Sequence, residues 1–147
     1  MKWLLPPLLW GLMILSAFAL KVLVPSSALM PWPWWMIGSL PILLGVLITV
    51  SASRQFNAVE TNIKTFDDPE VLVVEGWFRV SRNPMYLGFI LTLLGLGIVL
   101  NSPLSLVPAL VFFLACQFWY IPFEERAAQT QFGEDFDQYK AQVRRWV

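Results

Sequence analysis

The chain has 147 residues, 57% of them hydrophobic and 14% charged, and its ten Lys and Arg are balanced by ten Asp and Glu. A water-soluble domain of this length has too little interior to hide so much apolar side chain, which leaves a bilayer-embedded helical bundle as the expected fold class. The zero net charge, with no basic tract longer than Arg144–Arg145, argues against a nucleic-acid partner, and the lack of histidine rules out Ser-His-Asp and Cys-His nucleophilic systems and His-ligated zinc.

A bilayer core takes roughly 20 apolar residues per crossing, so one domain of about four transmembrane helices is expected over residues 1–147. The first apolar run is 3–24, broken only by Pro6–Pro7 and Lys21. Ala17-Phe18-Ala19 resembles a signal-peptidase site, but the run continues through Leu20-Lys21-Val22-Leu23-Val24, longer than a signal core needs, and is read as a retained helix. Pro25-Ser26-Ser27 and Pro31-Trp32-Pro33 mark a turn, with Trp32, Trp34 and Trp35 suited to an interfacial aromatic belt. The second helix is expected over 34–53, its apolar stretch ending at Arg54.

Residues 54–83 have the character of a solvent-facing segment, with Glu60, Lys64, Asp67-Asp68-Pro69 and Glu75-Gly76. Its apolar patches, Val71-Leu72-Val73-Val74 and Trp77-Phe78, predict packing against the bundle or a ligand. Helices over 84–100 and 104–123 form a hairpin about the turn Asn101-Ser102-Pro103. Gly95 and Gly97 inside the third helix read as small-residue helix packing, since a dinucleotide fingerprint needs a preceding strand. Cys116, the single cysteine, lies in an apolar run and reads as a core residue.

After Pro122, residues 124–147 form a second polar segment. Phe132, Phe136, Tyr139, Val143 and Trp146 recur at spacings of four and three, the pattern of an amphipathic helix lying on the membrane or docked beneath the bundle. With four crossings, every basic residue except Lys21 falls on one side, and the positive-inside rule makes that side the cytoplasm.

Two polar clusters meet at that side, because the hairpin brings the start of its first helix beside the end of its second. One is Gly76-Trp77-Phe78-Arg79-Val80-Ser81-Arg82-Asn83-Pro84-Met85-Tyr86-Leu87-Gly88; the other is Glu124-Glu125-Arg126. Pro84 suits a helix's first turn, and the free N–H groups there, with Arg82 beside them, favour an anion. Gly88 lets a helix or a ligand approach closely. Arg82 snorkelling to headgroups and glutamates pairing on the surface would explain the same residues without a site. Ionisable groups at a membrane boundary are a functional hypothesis by default.

The string 82–88, preceded by Leu72-Val73-Val74-Glu75-Gly76-Trp77-Phe78 and followed by Glu124-Glu125, resembles the isoprenylcysteine carboxyl methyltransferase family. The tail Phe132-Gly133-Glu134-Asp135-Phe136-Asp137-Gln138-Tyr139 with Val143-Arg144-Arg145-Trp146 is similar too, so the likeness covers roughly 54–147. It implies an integral membrane methyltransferase that uses S-adenosylmethionine and methylates a lipophilic or lipidated acceptor. By the resemblance, Val74, Gly76, Arg82, Asn83, Pro84, Tyr86, Gly88, Glu124 and Glu125 hold the cofactor, with Arg82, Glu124 and Glu125 as the catalytic candidates. Arg126, Tyr139 and Arg144 close the pocket over the acceptor. Many members carry histidine where Asn83 stands, and the N-terminal portion here is brief beside theirs. A carboxylate acceptor, already ionised, would need no general base. A membrane NADPH-dependent reductase and a non-enzymatic scaffold or transporter subunit are the rival readings.

Overall fold

A computed structural model describes residues 5–58 and 71–147, and every regular element in them is helical. Lys2, Trp3, Glu60, Lys64 and Asp67–Asp68–Pro69 lie outside the described residues. Helix α1 is Pro6–Leu23; α2 is Ser39–Ala58, entered through a 3-10 turn at Trp34–Gly38; α3 is Pro84–Val99. The next helix begins as a 3-10 turn at Pro103–Leu106, continues as α4 (Val107–Ala115), widens into a π-helical turn at Cys116–Tyr120 and runs on as α5 (Ile121–Phe132). Gly133, at φ 51°, breaks it from α6 (Glu134–Gln142).

Among the described residues, three continuous helices are long and apolar enough to cross a bilayer: Pro6–Leu23, Trp34–Ala58 and Pro103–Phe132. α3 is equally apolar but has 16 residues. Leu15, Leu40, Leu43 and Leu47 are each more than 60% exposed, and Leu8, Leu12, Leu44 and Leu110 are exposed as well. So continuous an apolar exterior is stable only against hydrocarbon, and the chain is an integral membrane protein.

α2 runs past Arg54, where its apolar stretch ends, because the last turn has packing of its own. Phe56 lies 5.6 Å from Phe78, ring centre to ring centre, and Gln55 Oε1 accepts the Trp77 backbone N–H at 3.2 Å.

α2 and α3 make the most extensive helix pair, and glycines set their approach. Gly45 faces Gly88 and Gly38 faces Gly95, antiparallel partners seven residues apart on each helix. A Cβ on Gly45 would sit 2.5 Å from the Gly88 carbonyl oxygen, and one on Gly38 would sit 2.6 Å from that of Gly95. Between helices that both face apolar surroundings, close backbone approach and dispersion supply the association that water supplies elsewhere.

Among the described residues, two clusters form the interior. Leu9, Tyr86, Ile90, Leu93, Phe112, Cys116, Tyr120 and Ile121 join α1, α3 and the last long helix. Within this layer Trp10 Nε1 donates to Thr92 Oγ1 at 2.9 Å, and Ser105 Oγ to the Ala17 carbonyl at 3.0 Å. At the end away from Arg82, Asn101 adopts φ 51°, a left-handed conformation that asparagine tolerates, and its amide exchanges two hydrogen bonds with the Met30 backbone.

The second cluster, Ala52, Phe78, Phe136, Tyr139 and Val143, lies at the Arg82 end and fastens α6 to the end of α2 and the 71–80 segment. The apolar patches in that segment thus pack, as their composition predicts: Leu72, Val73 and Trp77 rest against it. Tyr139 Oη donates to the Phe78 carbonyl at 2.6 Å, and burial pushes its pKa up to about 12 against the pull of Arg82. Tyr139→Phe leaves that carbonyl without its donor. The expected cost is about 1–3 kcal/mol, read as a lower apparent melting temperature in detergent.

Candidate functional site

The turn leading into α3 is shaped by proline. Pro84 occupies the first helical turn, and Asn83 before it takes φ −131° and ψ 55°, outside the helical region that a following proline disfavours. This conformation aims three consecutive residues at the C-terminal tail. Ser81 Oγ donates to the Arg145 carbonyl at 3.3 Å and Asn83 Nδ2 to the same carbonyl at 3.0 Å, while the Arg82 backbone N–H donates to the Arg144 carbonyl at 3.1 Å. The tail is extended at Val143, with φ −123° and ψ 131°, so side chains alternate beyond it. Val143 is buried, Arg144 is exposed, and Arg145 turns back inward.

Arg145 and Arg82 grip the same carboxylate. Arg82 Nη2 lies 2.8 Å from Glu125 Oε1, and Arg145 binds Glu125 through both oxygens, Nε to Oε1 at 3.2 Å and Nη2 to Oε2. Arg82 also donates through Nη1 to the Lys140 carbonyl at 3.4 Å. Its Nε is the buried side-chain polar atom that finds no partner among the described residues. Glu124, the neighbouring acid, is engaged by a different donor: Tyr86 Oη reaches its Oε1 at 2.6 Å.

The π-helical turn sets where these acids face. Pro122 lacks an N–H and its ring crowds the carbonyl a turn earlier, a conflict that a widened turn relieves. Such a turn rotates the remainder of the helix by about a quarter turn relative to an unbroken α-helix. Glu124 and Glu125 both line the cavity, while Arg126 is exposed on the outer side.

That cavity has a volume of about 310 Å³ and is bounded by the ends of α1, α2, α3, α5 and α6. Arg82, Asn83, Tyr86, Glu124, Glu125 and Tyr139 supply its polar groups, and Phe56, Phe78, Met85, Phe89, Phe132 and Phe136 much of its apolar wall. Thr49 and Ser53 reach it from α2, and Pro6 and Pro7 from α1. An apolar chamber with a few convergent polar groups is the form of a small-molecule site, and its wall of aromatic rings suits a flat ring system or a hydrocarbon chain.

Of the residues singled out in the sequence, Arg82, Asn83, Pro84, Tyr86, Glu124, Glu125 and Tyr139 meet at this cavity. Gly88 does not; its open side is taken by the Gly45 carbonyl. Gly76, at φ 57°, serves a turn against Gln55, and Val74 is exposed, although Val71, Leu72 and Val73 just before it do line the cavity. Arg144 is exposed, and its backbone carbonyl accepts from the Arg82 N–H. Sequence reasoning missed Arg145. The signal available was the alternation of an extended chain after α6, masked by a helical periodicity that runs unbroken to Trp146.

The model of the family described as phospholipid methyltransferase matches residues 34–135. A protein of Oryza sativa subsp. indica named probable protein-S-isoprenylcysteine O-methyltransferase is 29% identical over 112 residues, 73% of this chain and 57% of that one. The Arabidopsis thaliana protein-S-isoprenylcysteine O-methyltransferase B is 28% identical over 116 residues, 75% of this chain and 58% of its own. An uncharacterized protein of Haemophilus influenzae is 33% identical over 63 residues, 43% of this chain and the whole of that one. The chain therefore spans little more than half the length of the plant relatives it matches. No solved structure matches it.

Proposed function

Because this chain belongs to the phospholipid methyltransferase family, we propose that it is an integral membrane methyltransferase that transfers a methyl group from S-adenosylmethionine to a lipophilic acceptor. The observation that carries the reading is the cavity in which an arginine, two glutamates and a wall of aromatic rings face one another at a helix-bundle end. In this reading the chain crosses the bilayer four times. α3, with 16 residues, is roughly 24 Å long and crosses where the bilayer thins around it. The cavity faces the cytoplasm, the side on which Arg54, Arg79, Arg82, Arg126, Lys140, Arg144 and Arg145 cluster.

The residues present suit the cofactor. Its adenine fits a cavity walled by Phe78, Phe132 and Phe136, its ribose hydroxyls and ammonium suit carboxylate acceptors, and its carboxylate suits Arg82, whose Nε lacks a partner among the described residues. When bound, S-adenosylmethionine supplies an electrophilic methyl group on a sulfonium. The protein's part is alignment and exclusion of water, which an in-line displacement needs more than it needs a strong base. Glu124, held by Tyr86, places negative charge in the cavity, where it would suit the cationic groups of such a ligand. The apolar wall contributed by Phe56, Met85 and Phe89, near the lipid-facing helices, suits an acceptor arriving from the bilayer. The relatives named protein-S-isoprenylcysteine O-methyltransferase point to a lipidated acceptor methylated on oxygen.

Calorimetric titration of the detergent-purified protein tests the reading. S-adenosylmethionine or its demethylated product is expected to bind and NADPH to give no heat. Binding of NADPH alone would identify a reductase, and binding of neither would leave a membrane scaffold.

A further inference from the structure

Arg145 lies outside the cavity, yet it shifts the balance of charge inside it, where Arg82 faces both Glu124 and Glu125. Without Arg145, the charges of Arg82, Glu124 and Glu125 would sum to minus one and repel an anion. The structure instead surrounds the Glu125 carboxylate with two guanidiniums, Arg145 across both oxygens and Arg82 on Oε1. These three groups carry one positive charge, which offsets that of Glu124, held apart by Tyr86 Oη; their side-chain accessibilities are 13% for Arg82, 20% for Glu125 and 30% for Arg145. At such depth a charge is screened less than at the open surface. Arg145 also satisfies Glu125, so Arg82 is not its sole counter-ion, and Arg82 Nε remains without a partner among the described residues. The backbone reinforces the arrangement, since Ser81 and Asn83 both donate to the Arg145 carbonyl and fix the tail beside the Arg82 turn. Trp146 anchors the tail from the other side, its Nε1 donating to Gln117 Oε1 at 2.8 Å and its ring 5.3 Å from Phe113.

We propose that Arg145 is a positioning residue that, through Glu125, makes Arg82 the carboxylate-binding end of the cavity, where the amino-acid portion of the methyl donor docks. The inference rests on the methyl-donor reading and adds to it the part of the donor that is recognised and a residue on the tail that sets the recognition.

The test compares two ligands that share adenosine, sulfonium and ammonium and differ in one carboxylate: S-adenosylmethionine and decarboxylated S-adenosylmethionine. Titrated into the wild-type protein in detergent, the carboxylate-bearing ligand is expected to bind about 10- to 100-fold tighter, the usual worth of a hydrogen bond to a charged group. In Arg145→Gln that preference is expected to shrink to a few-fold, with affinity for the decarboxylated ligand nearly unchanged. In Arg145→Lys, which keeps the charge, much of the preference returns. Equal weakening of both ligands in Arg145→Gln would mean the residue only holds the tail in place, and an undiminished preference would mean it has no part in recognition; either overturns the proposal. A wild-type protein that binds neither ligand would instead overturn the methyl-donor reading itself, and this inference with it.

Discussion

Arg82→Ala is expected to weaken binding of S-adenosylhomocysteine by at least tenfold while the protein still elutes from size exclusion as a folded detergent complex. The two effects separate because the side chain and the backbone of Arg82 have different work. The backbone N–H holds the Arg144 carbonyl, and Ser81 and Asn83 hold that of Arg145; alanine keeps all three bonds. Glu125, deprived of Arg82, still has Arg145 on both oxygens, so no uncompensated carboxylate is left. Removing one partner of a buried ion pair ordinarily costs about 3–5 kcal/mol, and the second guanidinium is what should spare this chain that loss. What alanine removes outright is the guanidinium that lines the cavity. Unchanged affinity, measured by titration, would detach Arg82 from ligand binding and return it to the role of an interfacial anchor.

Gly45→Ala is expected to be among the most damaging single-methyl changes in the chain. The new Cβ would lie 2.5 Å from the Gly88 carbonyl oxygen and 2.9 Å from the Thr92 backbone nitrogen. Neither is the end of a side chain that can swing aside, so α2 and α3 must separate. Forcing volume into a close-packed contact costs typically about 1–3 kcal/mol, and roughly 2–4 °C of melting temperature accompanies each kcal/mol in a chain this size. Gly11→Ala is the control, since a Cβ there meets nothing within 4 Å and alanine favours the helix. Thermal unfolding of both variants in detergent should show a clear fall for Gly45→Ala and none for Gly11→Ala. Equal behaviour would mean that the glycine contacts do not set the helix spacing.

Much of this was legible in the residue string because it depends on local chemistry. Apolar runs mark membrane helices whatever their neighbours are, Pro84 marks a helix start by backbone geometry alone, and the hairpin turn at Asn101–Ser102–Pro103 brings Arg82 to Glu125 by connectivity. The motif at 82–88 was enough to point to the methyltransferase family that both the family model and the plant relatives support.

Where the string misled, the deciding quantity was orientation. Gly88 is compatible with a ligand or a helix, and only the position of α2 shows that the Gly45 carbonyl takes the space. Arg144 and Arg145 are chemically identical neighbours; whether the chain is helical or extended at Val143 chooses between them, and the docked tail made it extended. The facing of Glu124, Glu125 and Arg126 depends on a π-helical turn four residues earlier, a local rotation that apolar periodicity does not record. Sequence alone determined that this is a membrane helical bundle with acids and an arginine at one end, because composition and connectivity do not depend on packing. The tertiary structure alone decided which of those groups share a cavity, because facing is set by how neighbouring backbones fit together.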